Sequence, residues 1–133
     1  MQTGSATASR VVLWEDDPVR RPLLAAILEA AGIPTAQPRD AESAMAMAAV
    51  PGVAALVLDA NVTRPSGAEF LRELRHRGRG QTPPTVALLQ PGQACLRSAM
   101  RRLGAARLIS EPFEPAQLVA AVLGTQGCLG APS

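Results

Sequence analysis

Five short runs of Val, Leu, Ile and Ala alternate along this chain with longer stretches of helical periodicity, and few folds accept that pattern. The runs span 10–14, 33–37, 53–58, 85–89 and 106–109; the helical stretches span 19–31, 41–50, 68–77, 93–103 and 115–123. Strands that are apolar on both faces are buried strands of a parallel sheet. Parallel neighbours need crossovers, and right-handed crossovers lay helices on both faces. The expectation is a doubly wound α/β domain with a five-stranded parallel sheet in the order 2-1-3-4-5. At 133 residues there is material for one such domain.

Local signals agree. Asp17-Pro18 is a helix start, a capping carboxylate followed by a proline whose missing N–H would be unpaired there anyway. Gly32 and Gly104 are helix stops, each followed directly by a strand. Pro22 conflicts with a helix beginning at 19, so a late start or a bend is expected. Residues 1–9 read as a disordered leader, 10–124 as the domain, and 125–133 as a flexible tail.

Composition narrows the function. Trp14, Phe70 and Phe113 are the only aromatics, too few for a surface that stacks single-stranded nucleic acid. No nucleic-acid partner is expected; the 13 basic residues are all Arg and the net charge is +2, from which nothing about binding follows. No run approaches a membrane span. Cys95 and Cys128 match no metal or redox spacing, and the first residues lack the basic and apolar regions of a secretory leader; a cytoplasmic location is expected. His76, without a Ser, Cys or Asp partner nearby in sequence, reads as a surface residue.

Chemistry concentrates in the carboxylates. Glu15-Asp16 follows the first apolar run, and Asp59 ends the run Leu56-Val57-Leu58. Open α/β sheets bind ligands at the carboxyl ends of their strands, so these three acids should converge there. Hard oxygen donors of this kind suit a divalent cation and a phosphoryl group.

The order Val11-Val12-Leu13-Trp14-Glu15-Asp16-Asp17-Pro18, then Leu58-Asp59, Gly67, Gly104-Ala105 and Glu111-Pro112-Phe113 resembles the receiver (CheY-like) domain of two-component response regulators over residues 10–124. The resemblance implies a flavodoxin-like three-layer sandwich. It implies that Glu15 and Asp16 are the acidic pair that holds Mg²⁺, that Asp59 accepts a phosphoryl group from a histidine kinase, and that the backbone carbonyl of Asn61 completes the metal shell. Four positions depart from the family pattern. Leu89 stands at the switch Ser/Thr, Glu111 at the Lys, and Leu108 at the switch aromatic, while the proline usual at Thr63 is displaced to Pro65. An acyl phosphate carries about two negative charges. Losing one electrostatic partner at a preorganised site costs roughly 3–4 kcal/mol. Phosphorylation of Asp59 and Mg²⁺ binding are therefore expected to be weak or absent.

The last helix, 115–123, carries no charge, and Gln117 is its only polar side chain. Val119 and Leu123 lie beside its expected core stripe of Leu118, Ala121 and Val122, and the fourth helix offers Arg97, Arg101 and Arg102 as a basic rim. The resemblance implies a protein partner or a second copy bound through the fourth and fifth helices. The leading expectation is a signalling module, not an enzyme, that acts through protein contacts. The alternative is a conventional response regulator phosphorylated on Asp59. A more remote one is a haloacid-dehalogenase-like phosphatase, suggested by Asp59-Ala60-Asn61-Val62-Thr63, which has Asn where that class has its acid.

Overall fold

The computed structural model describes residues 10–79 and 81–130, with side chains as far as Thr125. Strands β1 (Val11–Trp14), β2 (Thr35–Ala36), β3 (Ala55–Asp59), β4 (Thr85–Leu89) and β5 (Arg107–Ser110) pair in the order 2-1-3-4-5, every pair parallel. Helices α1 (Arg20–Ala30), α2 (Ala41–Ala48), α3 (Gly67–Gly78), α4 (Ala94–Arg102) and α5 (Pro115–Gly130) connect and flank them. This is the doubly wound sheet expected from the alternation of runs, in the flavodoxin-like arrangement that the resemblance implies.

Side-chain alternation along β1 and β3 divides the core in two. Val11, Leu13, Ala55 and Val57 face Leu24 and Leu28 of α1 and Leu118 and Val122 of α5. Val12, Trp14, Leu56 and Leu58 face Met45 of α2, Phe70 and Leu74 of α3 and Met100 of α4. Trp14 stacks on Phe70, ring centroids 6.4 Å apart. Both central strands are buried along their whole length, which is why they read as unbroken apolar runs.

The strand edges depart from the sequence reading for local reasons. The second strand, expected over 33–37, is only Thr35–Ala36. Ile33 belongs instead to the end of α1: its N–H bonds Leu28 O at 3.0 Å and that of Gly32 bonds Glu29 O at 2.9 Å, a Schellman closure with Gly32 at φ +81°. Gly104 ends α4 the same way, with Ala105 N–H on Met100 O. The helix α1 starts at Arg20, so Pro22 falls in its first turn, where a missing N–H breaks nothing. The Asp17 carboxylate accepts from Val19 N–H at 2.9 Å, as the capping reading anticipated.

The tail boundary needs correction. Helix α5 continues past 124 to Gly130, and Thr125 is buried with its hydroxyl on Val122 O at 2.7 Å. Gly124 serves close approach here: a Cβ there would sit 3.0 Å from the Arg107 guanidinium. Residues 1–9 and 131–133, read as loose ends, lie outside the described residues.

Candidate functional site

Glu15 is the first residue beyond β1, and Asp59 is the last of β3. The register pairs Trp14 with Leu58, so the two acids emerge side by side where the sheet ends. Continuing the strand alternation puts both on the α1 and α5 side of the sheet. Asp16 follows on the exposed turn, and oxygen atoms from Glu15, Asp16 and Asp59 all lie within 4.8 Å of one another. Glu15 is 1 % exposed and Asp59 7 %. The predicted convergence of the three carboxylates is therefore present. Their donor set suits Mg²⁺, which takes a few carboxylate oxygens together with water and phosphate.

Crowding and burial act together on Glu15. Burial first, and then its hydrogen bond to and repulsion from Asp59, push its carboxyl up to about 8, against the opposing pull of the Asp17 N–H and Arg20. Such a shift follows when buried acids share one site. The Asp17 N–H reaches Glu15 Oε2 at 3.2 Å. The Arg20 Nε lies 3.1 Å from Oε1, close enough for an ion pair but too poorly aligned for a hydrogen bond.

Arg20 is the residue that sequence reasoning missed. From the first turn of α1 its guanidinium reaches across the pocket, pairing with Glu15 through Nε and with Glu111 through Nη2. Burial lowers its affinity for a proton, but Glu111, Glu15 and Asp59 together raise it above the ordinary arginine value. Glu111 was expected to stand as an uncompensated negative charge beside Asp59. It is instead one half of an ion pair. Nothing in the sequence flags Arg20, since the pair joins residues 91 positions apart on different elements.

The remaining predicted positions fall around this cluster. Leu89 ends β4, 1 % exposed within the core on the α2–α4 side, and its carbonyl accepts the Glu111 N–H at 2.8 Å. Leu108 is partly buried against the same core. The Asn61 N–H bonds Asp59 Oδ1 at 2.9 Å. The Asn61 side chain exchanges two hydrogen bonds with Gln93, at 2.7 and 3.2 Å, and Gln93 Oε1 also accepts the Gln90 N–H. This clasp ties the loop after β3 to the loop after β4. Gly67 opens α3 against the same loop: a Cβ there would lie 2.6 Å from Ala60 O. Only glycine permits that approach.

The proposed partner residues lie on the two helices that flank the edge strand β5. The helices α4 and α5 pack on opposite faces of the sheet, α4 with α3 and α5 with α1. Val119 is half-buried against the core and lines a groove with Leu23, Ile27 and Ala116, on the α1 side of α5. The apolar side of α5 is wide because it covers both sheet and α1. Leu123 is 49 % exposed, and Arg101 is exposed on α4. Arg97, counted in the basic rim, turns inward to the Ser110 hydroxyl.

Comparison with known proteins agrees with this geometry. The model of the response regulator receiver domain matches residues 11–123. The transcriptional regulatory protein FixJ of Azorhizobium caulinodans is 33% identical over 117 residues, 87% of this chain and 54% of that protein. The phosphate regulon transcriptional regulatory protein PhoB of Escherichia coli is 28% identical over 115 residues, 86% of this chain and 50% of that protein. The chain thus spans about half the length of the curated relatives it matches. Among solved structures, FixJ-N superposes with a TM-score of 0.81 at 25% identity, over 92% of this chain and 96% of that one.

Proposed function

The chain belongs to the response regulator receiver domain family, and from that premise we propose that it is an atypical receiver, signalling through protein contacts with weak or absent phosphotransfer at Asp59. Receiver domains are signalling modules of two-component systems that bind Mg²⁺ at an acidic pocket and interact with histidine kinases and partner proteins. The observation that carries the atypical reading is the pair of residues at the ends of β4 and β5, beside the strand that carries Asp59. Leu89 supplies only methyl groups at the end of β4, and Glu111 supplies a carboxylate whose cationic partner is already engaged. A phosphoryl group on Asp59 would meet neither a hydroxyl donor nor a free ammonium.

Glu15, Asp16 and Asp59, with the carbonyl of Asn61, are the residues that would hold Mg²⁺. The ion, when bound, neutralises charge on a phosphoryl group during in-line attack by a carboxylate. The chain's own part is to present Asp59 at a strand end, fixed by the Asn61 N–H. The convergence of three carboxylates is also what favours the second reading, a conventional response regulator phosphorylated on Asp59. Incubation with acetyl phosphate and Mg²⁺, followed by intact mass over time, separates the two. Little or short-lived addition of one phosphoryl group supports the atypical reading, and a stoichiometric, stable adduct overturns it. The protein contacts are proposed to involve the flanks of β5, where Arg101 and Leu123 are exposed, in a cytoplasmic setting.

A further inference from the structure

We propose that Arg20 is the resident cation of the acidic pocket, holding its carboxylates together without metal, and that a divalent ion enters only by displacing this guanidinium. The inference rests on the receiver reading of the pocket and adds what this chain in particular places there.

Four carboxylates meet at the end of the sheet: Glu15, Asp16, Asp59 and Glu111. Carboxylates gathered this closely need protons, a metal or a basic side chain to persist in a folded protein. Arg20 supplies the third, neutralising Glu111 and the charge that remains where Glu15 hydrogen-bonds Asp59. It contacts Glu15 on the inner side and Glu111 on the outer, while Asp59 adds attraction. The neighbouring Arg21 is used otherwise, its Nη1 donating to the Glu15 carbonyl at 3.2 Å. A guanidinium suits this task better than an ammonium, because its planar fork can engage two carboxylates at once.

The position of Arg20 matters as much as its charge. Its Nε sits 3.1 Å from the buried Oε1 atom of Glu15, a carboxylate that belongs to the group able to hold a metal. The outer contact with Glu111 fixes the guanidinium from the far side. The Glu at position 111, read alone as a charge reversal that empties the pocket of cations, is therefore the anchor that keeps one in it. Metal and guanidinium thus draw on the same inner carboxylate, and on this proposal a divalent ion opens the Arg20–Glu15 contact to bind.

The test uses the full chain, Mg²⁺ alone as the probe, and two readouts apart from phosphorylation. Melting is followed in EDTA and in Mg²⁺ for the unaltered protein and for Arg20→Gln. The unaltered protein is expected to melt at the same temperature in both; Arg20→Gln is expected to melt lower in EDTA and to recover with Mg²⁺. Trp14, the only tryptophan and next to Glu15, reports affinity by fluorescence. Mg²⁺ should bind Arg20→Gln tighter on the order of tenfold, since a partly buried ion pair no longer has to open. Equal affinity, or no binding to either protein, overturns the proposal. The Arg20 Nε–H resonance of the unaltered protein gives an independent answer should the variant not fold. It must move when Mg²⁺ saturates, and a bound ion that leaves it in place overturns displacement. Efficient labelling of Asp59 by acetyl phosphate would sink the atypical reading alone, leaving the metal titration to judge Arg20.

Discussion

At the scale of single residues, this site is defined by what stands at the ends of β3, β4 and β5. Leu89 and Glu111 are neighbours across the β4–β5 pair, joined by the Glu111 N–H on Leu89 O. Restoring a hydroxyl and an ammonium together, by Leu89→Thr with Glu111→Lys, is expected to raise Asp59 labelling by acetyl phosphate severalfold or more, with intact mass as the measurement. The lysine would also repel Arg20, so the single Glu111→Lys change should free the Glu15 carboxylate and improve Mg²⁺ binding even with Leu89 in place. Gly67 sets a second constraint. With a Cβ only 2.6 Å from Ala60 O, Gly67→Ala must push the loop that follows Asp59. The expected loss is about 1–3 kcal/mol of stability, the usual penalty of overpacking, read from urea midpoints. The glycine and the three acids were legible because each residue type has a narrow set of uses. Arg20 was not, because one arginine among 13 looks like any other until the fold brings Glu111 to it.

At the scale of elements, the helix ends set local stability. The α3 start is a full capping box: the Ser66 hydroxyl accepts the Glu69 N–H at 3.1 Å, and the Glu69 carboxylate accepts the Ser66 N–H at 3.0 Å. Ser66→Ala should cost about 1 kcal/mol, measured by chemical denaturation. The motif is visible in the sequence as Ser66 followed three residues later by Glu69, yet the sequence reading began this helix at 68. At the other end Arg79 adopts φ +51°, ψ +44°, a left-handed conformation that disfavours a Cβ. Arg79→Gly is expected to stabilise the domain by roughly 0.5–1 kcal/mol, part of the gain being offset by the greater freedom of glycine in the unfolded chain. A decrease in the urea midpoint would contradict this.

At the scale of the whole molecule, the buried acid cluster ties folding to pH. The folded Glu15 carboxyl holds its proton up to about pH 8, whereas the unfolded one releases it near 4.5. Between those values the folded state binds more protons, so this group's contribution to stability is full below about 4.5 and is lost as pH rises towards 8. Melting profiles recorded in EDTA should show that decline. Glu15→Gln, which cannot ionise, should flatten it, and an unchanged slope in that variant would assign the decline elsewhere. The two-sided core also bears on partner contacts. Because α5 covers both the sheet and α1, Val119→Glu is expected to destabilise the fold, whereas Leu123→Glu should leave stability within about 0.5 kcal/mol, as surface changes usually do. Self-association tested in these two variants then reads the exposed flank separately from the core.

The sequence alone determined the sheet order, the positions of most helix ends and the identity of the three converging acids. Those features depend on short-range chemistry: apolar runs buried on both sides, glycines at left-handed turns such as Gly32 and Gly104, and carboxylates where strands stop. Tertiary structure decided the rest. It set the length of β2, since Ile33 is used to close α1 instead of extending the strand. It carried α5 past Gly124 to Gly130, with the Arg107 guanidinium packed beside that glycine. It also turned Glu111 from a lone repulsive charge into the anchor of Arg20. Each of these depends on a contact between residues distant in the chain or on competition for one backbone group. A local pattern cannot encode which partner wins, because that is settled only when the packed elements fix the distances between them.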